Sequence, residues 1–62
     1  MIITVFAENN STGARRILGK IQTSKKDFED FQERRNIKLY DRITSFHVSV
    51  KQDESLNYEE VK

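Results

Sequence analysis

The stretch ITSFHVSVK, residues 43–51, has the cleanest two-residue alternation in the chain. In an extended strand Thr44, Phe46, Val48 and Val50 point one way, and Ser45, His47, Ser49 and Lys51 the other. That is the pattern of a half-buried strand. Phe46, Val48 and Val50 are therefore predicted in the core, and the upstream elements are read as cover for that face.

Immediately before this stretch, Ile37 to Arg42 (IKLYDR) reads either as a continued helix with Leu39 on its apolar stripe or as a short extended connector. The connector is the expectation, with Ile37, Leu39 and Tyr40 closing one end of the core. Further upstream a helix is predicted from about Lys25 to Arg35. Thr23 or Ser24 supplies its cap, and Ser24 with Asp27 three residues on resembles a capping box. Phe28 and Phe31 share the inner face of that helix, Asp30 and Arg34 pair four residues apart on the outer one, and Asn36 is read as the stop.

The N-terminal third carries two more strands. Met1 to Ala7 is rich in β-branched and aromatic residues, with Ile3 and Val5 on one face and Ile2 and Phe6 on the other. The polar run Asn9 to Gly13 suits a hairpin loop, because Asn and Gly tolerate positive φ. Arg15 to Gln22 follows as a strand pairing antiparallel with the first. It carries Ile17 and Ile21 on one side and Arg16, Leu18 and Lys20 on the other, and Gly19 weakens it or marks a bulge. Downstream of the alternating stretch, residues 53–62 (DESLNYEEVK) are polar and acidic and are expected to fray as a disordered tail behind a compact domain of residues 1–52.

The prediction that results is a small α+β domain of order ββαβ, a three-stranded, mainly antiparallel sheet with one helix on one face. Sixty-two residues bury a small core, and there is no cysteine to staple it. A chain of this kind often relies on a partner subunit. MIITVFA is short, has no basic lead-in and runs directly into polar residues, which fits neither a signal peptide nor a membrane span. A soluble, cytoplasmic protein is expected, and the two overlapping glycosylation sequons at Asn9 and Asn10 carry no weight in that setting.

The formal net charge of +1 conceals an uneven distribution. Residues 9–26 hold Arg15, Arg16, Lys20, Lys25 and Lys26 without one acidic side chain, whereas Asp53, Glu54, Glu59 and Glu60 crowd the last ten positions. Without those ten, ten of the eleven basic residues remain against six of the ten acidic ones.

Few side chains suggest chemistry. His47 is the single histidine, flanked by Ser45 and Ser49. Residues two apart on a strand point in parallel, and no oxyanion donors are evident, so a surface histidine is the reading and no catalytic residue is assigned. The acidic run Asp27, Glu29, Asp30 and Glu33 reads as a solvated helix face rather than a cation site. No metal, cofactor or small-molecule substrate is expected, and neither glycine opens a phosphate-binding pattern. The chain is not read as an enzyme.

What remains is apolar surface that one helix cannot cover. If Phe28 and Phe31 pack on Ile3, Val5, Ile17, Ile21, Phe46, Val48 and Val50, then Ile2, Phe6 and Leu18 are left on the open face of the sheet. The sequence therefore predicts a protein-binding module, an inhibitor or adaptor acting on a larger intracellular protein, or a homodimer. Its contact residues would be Ile2, Phe6 and Leu18, steered by Arg16 and Lys20. Size and simplicity suit a phage or mobile-element regulator. The alternative is nucleic-acid binding on the same face through Phe6, Arg16, Lys20, His47 and Lys51.

Overall fold

The computed structural model describes residues 1–61. Strand β1 (Ile2–Asn9) and strand β2 (Arg15–Gln22) form an antiparallel hairpin, helices α1 (Lys25–Gln32) and α2 (Ile37–Thr44) follow, and strand β3 (Glu54–Val61) closes the chain. The sheet order is β2-β1-β3, with both pairings antiparallel. The coarse expectation of a small α+β domain with a three-stranded antiparallel sheet holds. The element order does not, because there are two helices and a different third strand.

The hairpin loop is closed by its own side chains. Asn9 Oδ1 accepts from the backbone N–H groups of Ser11 and Thr12, both at 2.9 Å, and Gly13 takes the left-handed conformation at φ 75° that glycine adopts without penalty. β1 is the central strand and is apolar on both faces. Ile3, Val5 and Ala7 are fully buried on the inner face. There Ile3 and Val5 join Ile21, Phe28, Phe31, Leu39 and Ile43 in one cluster, so both helices contribute to a single core.

Ser24 caps α1 as expected, its Oγ accepting from the Asp27 N–H at 3.1 Å. The helix ends in a Schellman turn: the Arg34 N–H reaches the Phe31 carbonyl at 2.9 Å and the Arg35 N–H reaches Asp30 at 2.7 Å. Asn36, expected as the stop of α1, instead starts α2, with Oδ1 accepting from the Leu39 N–H at 3.0 Å. Ile37 to Arg42 is thus helix rather than connector.

The alternating stretch 43–51 is a correction of the same kind. It runs from the end of α2 into a 3-10 helix, Ser45–Ser49. Leu39, Ile43 and Phe46 stand at helical spacing of four and three, and the first two are buried while Phe46 packs against the core. That longer stripe prevails over the two-residue alternation inside it. Thr44 Oγ1 and Ser45 Oγ donate back to the carbonyls of Tyr40 and Arg42, at 2.9 and 2.7 Å, as hydroxyls do on a helix. Val48, placed in the core by the strand reading, is 91% exposed.

The third strand is drawn from the acidic C-terminal stretch. β3 pairs along the whole of β1, from Ile2 with Val61 to Asn9 with Glu54. Leu56 and Tyr58 lie opposite Ala7 and Val5 and therefore face the helices. Tyr58 meets Phe31 edge-on at 5.1 Å and Phe28 at 6.2 Å between ring centroids. Lys62, the one basic residue of that acidic stretch, lies outside the described residues.

Candidate protein-contact surfaces

A bulge in β2 decides what the open face of the sheet presents. Val5 pairs with Gly19 and Phe6 with Ile17, so Leu18 is an extra residue in its strand. One inserted residue reverses the alternation beyond it. Leu18, expected on the open face, is half-buried against the core, and Ile17, expected in the core, stands across from Phe6 at 66% exposure. The large apolar side chains exposed on the open face are Ile2, Ile17 and Val61.

Phe6 does lie on that face but is only 6% exposed. The Arg15 guanidinium sits 4.8 Å above its ring centroid. From there Nε reaches Glu8 at 3.3 Å and Nη1 reaches Glu59 at 3.1 Å, so one side chain straps the sheet from β2 across β1 to β3. The strap covers Phe6 without a second layer.

The same bulge turns Arg16 to the helix side, opposite Ala7. Its Nη2 donates to Glu54 Oε1 at 2.7 Å and to the Ser49 carbonyl at 2.8 Å, clamping the end of the 3-10 helix to the start of β3. The Glu54 side chain is 9% exposed and also accepts from the Lys51 N–H at 3.0 Å. The hydrogen bond from Arg16, then the one from Lys51, holds the Glu54 carboxyl below its ordinary pKa, and the Glu54 bond raises that of Arg16. Arg16 thus ties the 3-10 helix to β3 from the helix side of the sheet.

Lys20 remains on the open face, paired with Thr4, and makes no ion pair among the described residues. His47, predicted on the sheet beside it, is on the 3-10 helix, and Lys51 lies in the loop beyond. The five residues proposed for nucleic acid are therefore not on one surface. Among the described residues no three His, Asp or Glu side chains gather as a metal site, and no helix is long and apolar enough to cross a membrane.

A second exposed apolar surface is at the corner between the two helices, which sequence reading assigned to the core. Phe31, Arg34, Asn36, Ile37 and Tyr40 line a cleft of about 480 Å³. Ile37 is 72% and Tyr40 57% exposed, and the Phe31 ring neighbours Tyr40 at 6.5 Å as well as Tyr58. Arg34 at the rim has φ 63°, the one non-glycine residue with positive φ among those described. A signal for this corner was present in the sequence: Asn36 before IKLY is a helix start, and reading it so places Ile37 and Tyr40 off the Leu39–Ile43 stripe.

The fold thus defines a small α+β domain, a three-stranded antiparallel sheet carrying two helices. Compared with protein-family profiles, with curated proteins and with solved structures, the chain finds no match.

Proposed function

We propose that this chain is a small protein-binding module, an inhibitor or adaptor that acts by occupying the surface of a larger protein. The observation that supports it is the helix-corner cleft, where Ile37, Tyr40 and Arg34 stand exposed around Phe31. Tyrosine and arginine around an apolar floor are the composition of interface hot spots. The cleft is large enough for one or two side chains of a partner.

The open sheet face is the lesser candidate. There Ile2 and Val61 are cross-strand neighbours at one end, Ile17 stands apart from them beyond the Thr4–Lys20 pair, and Phe6 is already covered by Arg15. Of the basic residues in the nucleic-acid reading, Arg16 is turned to the helix side and His47 and Lys51 lie off the sheet, which leaves Lys20 on that face.

The test is affinity capture from the lysate of the source cells, with and without nuclease, using the full chain and the variants Ile37→Asp and Tyr40→Ala. Both sites are exposed, so the fold is expected to survive, and circular dichroism checks it. A discrete protein captured by the parent and lost with both variants supports the reading. Equal capture by the folded variants sinks it, and capture abolished by nuclease moves the function to nucleic acid.

A further inference from the structure

The charge of the same cleft selects its occupant. Of the five residues that line it, Arg34 alone is charged, and no carboxylate is among them. Its neighbour Arg35 is paired with Glu33 at 3.2 Å, but Arg34 has no ion pair among the described residues. A cation at the rim of an apolar cleft, with no internal counterion, is complementary to an apolar group that brings its own negative charge.

The backbone adds an independent observation. Arg34 occupies the left-handed position of the Schellman turn, where glycine is the residue without a steric penalty. Two backbone hydrogen bonds, from the N–H groups of Arg34 and Arg35, keep it there. A long charged side chain held at such a position points to a use for the side chain rather than to the needs of the turn.

Resting on the protein-binding reading above, we infer that the cleft takes a segment of a partner protein in which an aromatic or large aliphatic side chain is flanked by a carboxylate. The apolar side chain fills the space between Phe31, Ile37 and Tyr40, and the carboxylate pairs with the Arg34 guanidinium. A nucleic acid is the weaker fit, because the single cation that lines the cleft is not the basic track that a phosphate backbone needs.

The experiment is an amide NMR titration of the full chain with three probes: N-acetyl-Phe-Asp-amide, N-acetyl-Phe-Lys-amide and a thymidine dinucleotide. The aspartate probe is expected to shift residues 31–40 and to bind about threefold to fivefold more tightly than the lysine probe. The difference should shrink as salt rises and vanish in Arg34→Gln, which keeps the same backbone demand and so the same fold. Equal affinity of the two peptides, or a preference unchanged in Arg34→Gln, overturns the charge assignment while leaving the cleft as a contact surface. Tighter binding of the dinucleotide overturns it in favour of nucleic acid. Shifts confined to other parts of the chain, or none with any probe, overturn the cleft itself and with it the protein-binding reading.

Discussion

The ring of Phe46 occupies the space where any residue but glycine at position 19 would place its β-carbon. An ideal Cβ on Gly19 would lie 2.9 Å from both Cε1 and Cζ of that ring. The 3-10 helix thus comes down onto β2 at its bulge, and the glycine that weakens the strand in the sequence is what admits the ring. Gly19→Ala is expected to destabilise the fold by about 1–3 kcal/mol through overpacking. In a Phe46→Leu background the same substitution should cost less. A double-mutant cycle in urea measures the difference, and strict additivity would refute the contact as its cause.

β3 is expected to be indispensable. A chain ending at Asp53 loses Leu56 and Tyr58 from the inner face and leaves a whole edge of β1 unpaired. Full burial of such a side chain contributes about 1.5–3 kcal/mol, and half-buried Leu56 with Tyr58 at 41% exposure supplies part of that for each, against a total of about 3–9 kcal/mol for a chain of this length. The truncated chain should show no cooperative thermal transition by circular dichroism, and a native-like melt would contradict the sheet topology.

The Arg16–Glu54 clamp predicts an acid-sensitive element. The folded carboxyl of Glu54 titrates below its ordinary value of 4.5, so its stabilising contribution is complete above that pH and is lost as pH falls through the depressed folded pKa. Arg16, raised from a value already far above neutrality, adds nothing in this window. Glu54→Gln should therefore flatten the fall in stability below pH 4.5 relative to the parent chain, read from urea midpoints over an acid series. Parallel curves would show that the clamp does not couple to folding.

Arg34→Gly should stabilise the protein by about 0.5–1 kcal/mol, since glycine takes the left-handed conformation freely but gives up more entropy on folding. The same variant should lose discrimination between acidic and basic peptides. Urea denaturation checks the first effect, and a fall in stability would mean that the Arg34 side chain supports the turn.

Arg15→Ala is expected to uncover Phe6 and to cost about 1 kcal/mol, the scale of an exposed cation–π contact with weak ion pairs. Arg15→Lys should restore part of it, with one point charge in place of a two-ended bridge. Thermal melts of the three proteins decide this, and equal midpoints would show that the strap contributes nothing.

How much of this was legible varies by element. The first two strands, the Asn9–Gly13 loop, the Ser24 cap and the inner pair Phe28 and Phe31 stand close to where the residues indicate, because each rests on local signals: β-branched runs, side-chain turns and helical spacing. The site was less legible. Leu18 and Arg16 were assigned to the open face by an alternation that the bulge breaks, and Ile37 and Tyr40 were assigned to the core by a connector that is a helix.

By itself the sequence determined the composition of a small α+β domain, a first strand that is apolar on both faces, and a hairpin followed by a capped helix. Only the tertiary structure decided which stretch became the third strand. ITSFHVSVK has the stronger strand pattern, yet as helix it buries Ile43 beside Leu39 and lets Phe46 reach Gly19. The glutamate-rich ESLNYEEV then takes the free edge of β1, where Leu56 and Tyr58 complete the inner face and Glu54 and Glu59 meet Arg16 and Arg15. Strand preference is worth little apart from the neighbours a strand packs against, and those neighbours come from distant parts of the chain.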